Sequence, residues 1–126
     1  MKKLIYCAVF YSVFMNSLAI DGNDYVGFCK TYLEVYGDGE TVSGKPEDFL
    51  AAGVCMGYTR GVLEALDSLQ KIAFVPQFFC IPAEAPDNQL YRVALKYLED
   101  NPAELHGSAN ELLVVAFGKA FPCEPK

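Results

Sequence analysis

Apolar side chains recur three and four residues apart along most of this chain, the spacing of helices that each bury one face. Between Asp21 and Tyr36 the repeat is carried by Tyr25, Phe28, Cys29, Tyr32, Val35 and Tyr36, which predicts a first helix. Gly37-Asp38-Gly39-Glu40 interrupts it, and residues 41–45 read as loop. The Asp38/Glu40 pair lacks the ordered oxygen ligands of a calcium loop and reads as a solvated turn. A second helix is predicted from Pro46 to Leu69. Pro46 suits a first helical position, where its missing N–H is no loss. Glu47 and Asp48 suit the positive end of the helix dipole. Its apolar residues spread over more than one face, as expected of a central helix touched on several sides.

Residues 70–86 are predicted to be irregular, because Pro76, Pro82 and Pro86 oppose regular structure. Ile72, Phe74, Val75, Phe78, Phe79 and Ile81 still need cover there, so part of the segment is buried and part is free to act as a binding loop. A third helix follows from Asp87 to Asp100, with Leu90, Val93, Ala94, Tyr97 and Leu98 on its apolar face. Asn101-Pro102-Ala103-Glu104 has the polar cap, proline and glutamate of a helix start. It predicts a fourth helix from there to Ala120. Four helices with short links make an all-α fold, a compact four-helix bundle with short additional helices.

Three glycines qualify the central helix. Gly53, Gly57 and Gly61 lie four residues apart and therefore share one face. Each costs roughly 1 kcal/mol against alanine in a helix interior. The expected return is a strip without side chains on which another helix packs closely, either from this chain or from a second subunit.

Composition then places the chain. Met1-Lys2-Lys3 is a short basic start, residues 4–19 carry no charge, and Ser17-Leu18-Ala19 offers small residues at a cleavage site. Residues 1–19 read as a secretory signal peptide, leaving 20–126 as one exported domain with no lasting membrane anchor. Ten basic residues less Lys2 and Lys3 leave eight against 16 acidic ones, a formal charge of −8. Such a surface repels nucleic acid and steers towards basic partners. Cys7 leaves with the signal. Cys29, Cys55, Cys80 and Cys123 remain, an even number that points to two disulfides in an oxidising compartment. Three pairings are open. An antiparallel hairpin of the first two helices sets Cys29 and Cys55 nearly level at about 1.5 Å per residue. Cys80 and Cys123 then fall at the same end of the second hairpin. Geometry favours Cys29–Cys55 with Cys80–Cys123.

Catalytic chemistry is not indicated. His106 is the one imidazole, placed in Glu104-Leu105-His106-Gly107 near a surface. The cysteines are expected to be oxidised, and no activated nucleophile, phosphate loop or metal motif stands out. The expectation is a non-enzymatic binding protein with no cofactor.

Gly53-Val-Cys-Met-Gly-Tyr-Thr-Arg-Gly61, Phe79-Cys-Ile-Pro82, Gln89 to Leu98, Asn101-Pro102 with His106, and Ala116-Phe-Gly-Lys-Ala-Phe-Pro-Cys123 together resemble the Rap/Tai family of immunity proteins. The resemblance covers most of residues 20–126. It implies a periplasmic helical protein, often dimeric, that blocks a peptidoglycan amidase delivered by the type VI secretion system. Such proteins cover the amidase groove partly with a protruding loop. In this chain that element maps to Lys71–Phe79, with Lys71, Phe74, Val75, Gln77 and Phe78 as contact residues; the 37–45 loop is the competing position. The alternative is a periplasmic structural or chaperone-like helical protein without a dedicated toxin.

Overall fold

The computed structural model describes residues 19–37, 42–73 and 75–124. The signal segment up to residue 18, the Asp38/Glu40 turn and Phe74 lie outside the described residues. Among those described there are four α-helices: α1 Gly22–Tyr36, α2 Pro46–Ala73, α3 Asp87–Asp100 and α4 Ala109–Ala120. The expected all-α bundle forms, and so do both expected disulfides, Cys29–Cys55 and Cys80–Cys123.

Three contacts give the register of α1 on α2. Tyr25 meets Thr59 through a 2.8 Å hydrogen bond, Cys29 is joined to Cys55 with Cα atoms 5.0 Å apart, and Tyr36 packs edge-on against Phe49. As one helix advances the other recedes, so the pair is antiparallel. The packed face of α2 is Ala52, Cys55 and Thr59, all fully buried. Small side chains on that face let the helices approach closely. Thr59 Oγ1 donates to the Cys55 carbonyl at 2.7 Å, so the Tyr25 hydroxyl is the donor to Thr59. Burial drives the Tyr25 phenol strongly upward from its ordinary pKa of 10.0, keeping it a neutral donor.

α3 and α4 close the core with Tyr91, Ala94, Leu98, Leu113 and Phe117 packed against Tyr25 and the first disulfide. Arg60 of α2 reaches Asp87 at the start of α3 in a 2.8 Å ion pair. The second disulfide holds the 79–81 segment to the end of α4. There the Cys80 N–H donates to the Phe121 carbonyl at 2.8 Å, and the Phe79 ring meets Phe117 edge-on at 5.7 Å.

Two boundaries differ from expectation. α2 continues to Ala73 instead of stopping at Leu69. Lys71 pairs with Asp67 one turn back, and Pro76 lies far enough on to leave that turn intact. The fourth helix starts at Ala109, and Pro102–Glu104 forms only a short 3-10 turn. Leu105 to Ser108 is used to hold the start of α1: the Gly22 N–H donates to Gly107, Asn23 donates to Leu105, and Asp21 bridges Ser108. Gly22 permits this contact, because a Cβ there would stand 2.8 Å from the Leu105 carbonyl oxygen.

Candidate functional site

The length of α2 creates the most distinctive surface. Its 28 residues span about 42 Å, against about 22 Å for the 15 residues of α1. With Tyr25 level with Thr59 and Cys29 level with Cys55, Gly22 stands near Val62. The last eleven residues of α2 therefore extend roughly 16 Å past the start of α1. No side chain in that overhang is fully buried, although Leu63 still packs on the core at its base.

The chain returns along this overhang. Leu63, Glu64, Asp67 and Gln70 form one wall of a cleft of about 400 Å³, and Gln77, Phe79, Cys80 and Ile81 form the other. The wall spacing of one, four and seven residues is one helical face. Phe79 and Ile81 are partly buried on the core and the disulfide fixes Cys80, so the base of the arm is anchored. Its outer part is not covered: Leu69 is 48% exposed, Ile72 77% and Phe78 47%. Apolar groups rimmed by Glu64, Asp67 and Lys71 match the anatomy of a protein-binding surface.

Of the residues expected to contact a partner, Lys71 lies on the outer turn and pairs with Asp67 at 2.6 Å. Val75 is half-buried, Gln77 lines the cleft, and Phe78 is exposed. Leu69 and Ile72 are additional members. Their spacing of three residues, continuing the repeat of α2, was the available signal; the nearby prolines obscured it.

The glycine strip does not receive a helix from the described part of this chain, the first of its two expected partners. Gly53, Gly57 and Gly61 are exposed, and a Cβ on any of them would meet no atom within 4 Å. Among the described residues no helix packs on the strip. The approach of α1 occurs instead on the neighbouring Ala52–Cys55–Thr59 face, where the disulfide and the Tyr25 hydrogen bond draw α1 in. The strip leads from Leu50, itself 72% exposed.

His106 is exposed in the 105–108 turn. Among the described residues no group of three or more His, Cys, Asp or Glu side chains could hold a metal ion, and no helix is long and apolar enough to cross a membrane. The arrangement offers shape and apolar area for recognition.

A comparison with curated proteins found no match, and one with solved structures found none either. A protein-family model, that of the Rap1a immunity proteins, matches residues 21–123. That span runs from the cap of α1 to the last cysteine and includes both disulfides, the glycine strip and the arm. The chain belongs to the family of Rap1a immunity proteins.

Proposed function

We propose that this protein is a periplasmic immunity protein that binds and inhibits a peptidoglycan amidase delivered by the type VI secretion system, protecting the cell that makes both. The observation that carries this reading is the arm: an overhanging helix and its return segment present Leu69, Ile72 and Phe78 from a base tied down by Cys80–Cys123. An inhibitor gains affinity when little ordering remains to oppose binding, and the disulfide at the base supplies that preorganisation. Family membership supports a cognate effector as the partner. Immunity proteins act by binding, so the reading assigns no catalytic residue and no cofactor. Residues 1–19 serve as the signal peptide that delivers the chain to the periplasm.

The same reading includes a homodimer, with the exposed strip of Gly53, Gly57 and Gly61 as the close-packing face for a second copy. Neither nucleic acid nor a lasting membrane anchor has a part in it.

The test is coexpression with candidate peptidoglycan amidases targeted to the periplasm, beginning with any encoded beside the gene. The wild-type protein should prevent lysis, and Ile72→Asp combined with Phe78→Asp should abolish protection and lower affinity at least tenfold, with helical circular dichroism unchanged. Lysis undiminished by the wild-type protein removes the inhibitory role. Comparable binding to unrelated unfolded proteins supports the chaperone-like alternative.

A further inference from the structure

A second surface, sharing no lining residue with the arm cleft, lies between α3 and α4. α3 runs along it through Arg92, Val93, Lys96 and Tyr97, and the last turn of α4 faces it with Ala116, Lys119 and Ala120. The two alanines cannot fill the space between helices that Val93 and Tyr97 hold apart. A trough of about 660 Å³ remains, open along its length from Asn88 to Asp100, or about 18 Å of helix. Its floor is mainly apolar.

Its charged lining residues are Arg92, Lys96 and Lys119 against Asp100, a cationic excess in a chain that is acidic overall. Lys30, Arg60, Lys71 and Lys96 each have a carboxylate partner within 4 Å. Arg92, Lys119 and, away from the trough lining, Lys45 have none among the described residues. The Arg92 guanidinium donates to Asn88 Oδ1 at 2.9 Å and to the Gly37 carbonyl at 3.4 Å. The Lys119 ammonium lies 4.7 Å from the centre of the Tyr97 ring and 3.4 Å from its hydroxyl. In a chain with 16 acidic residues against ten basic ones, two cations that have no carboxylate partner among the described residues flank one apolar trough. An open trough about three turns long suits a helix better than a small molecule, which calls for enclosure on most sides.

We propose that the trough between α3 and α4 is a docking site for an acidic amphipathic helix of a protein partner. Apolar side chains of that helix rest on Val93, Tyr97 and Ala120, and its carboxylates meet Arg92 and Lys119. The site is separate from the arm, so it serves a second contact and does not depend on the identity of the effector.

Two fluorescein-labelled 14-residue helical peptides with the same Leu/Phe stripe, one flanked by Glu and one by Lys, provide the probe. In anisotropy titrations at 50 mM salt the Glu peptide should bind at least tenfold more tightly. Its amide shift changes should be confined to the facing turns of α3 and α4. Arg92→Glu with Lys119→Glu should weaken it at least tenfold. Ala120→Trp, which fills the trough from an exposed position, should do the same without altering circular dichroism. Ile72→Asp with Phe78→Asp should leave the peptide affinity unchanged, which separates this site from the arm. Equal affinity for both peptides, shift changes centred on the arm, or binding indifferent to the charge reversal would each overturn the proposal. Binding of dodecanoate without binding of either peptide would overturn it in favour of a small-amphiphile site.

Discussion

Tyr25 and Tyr91 are equally buried, at 1% exposure, but their hydroxyls have opposite circumstances. Tyr25 donates to Thr59, whose own proton goes to the Cys55 carbonyl, so a short buried relay joins α1 to α2 beside the disulfide. The Tyr91 hydroxyl is buried without a hydrogen-bond partner among the described residues, its ring edge-on to Tyr32 at 4.6 Å. Burial, and then the nearby Asp87 carboxylate, push its pKa up, so it stays protonated with nothing to receive the proton. A satisfied buried hydroxyl contributes about 1 kcal/mol, whereas an orphaned one is a penalty of about 1–3 kcal/mol. Tyr25→Phe should therefore destabilise by roughly 1–2 kcal/mol, while Tyr91→Phe should be neutral or stabilising by about 1 kcal/mol. Urea midpoints at constant slope would measure both. A loss of stability in Tyr91→Phe as large as that in Tyr25→Phe would mean that the Tyr91 hydroxyl has a partner after all.

At the scale of elements, the glycines of α2 give a prediction whose sign depends on the assembly. Because a Cβ at Gly57 meets nothing among the described residues beyond its own helix, Gly57→Ala should stabilise an isolated protomer by about 0.5–1 kcal/mol. If a second copy packs on the strip, Gly57→Leu should in addition shift light-scattering mass from dimer to monomer. A mass indifferent to Gly57→Leu argues against that dimer face. The helices themselves were legible because Tyr25, Cys29, Leu90, Ala94, Leu98, Leu113 and Phe117 keep the helical repeat and fill the core. The disulfides were legible because an antiparallel hairpin fixes which cysteines stand level. Of the two partners expected for the glycine strip, a helix of this chain is not the one found among the described residues, because four-residue spacing shows which residues share a face but not which face the chain covers. Ala52, Cys55 and Thr59, one step round the same helix, are the covered set. The start of α4 was misread for a different reason. Asn101-Pro102-Ala103-Glu104 has the local signal of a helix start, yet Glu104 accepts from the Tyr97 hydroxyl and the following carbonyls are committed to α1. Tertiary contacts at Gly22 and Asn23 outweigh the local pattern.

At the scale of the whole molecule, two kinds of recognition are kept apart. The formal charge of −8 for residues 20–126 produces a long-range field, which acts on encounter and is screened within about 8 Å at physiological salt. Under the proposed function, the exposed Leu69, Ile72 and Phe78 of the arm would act at contact, through apolar area that salt does not screen. If the effector is basic around its groove, these two parts should separate kinetically. Raising salt from 50 to 500 mM should slow association about tenfold or more while changing dissociation less than about twofold. Ile72→Asp with Phe78→Asp should do the reverse, speeding dissociation and leaving the association rate little changed. Surface plasmon resonance over a salt series distinguishes the cases. An association rate independent of salt would mean that the acidic surface serves solubility alone, and that the arm finds its target without electrostatic guidance.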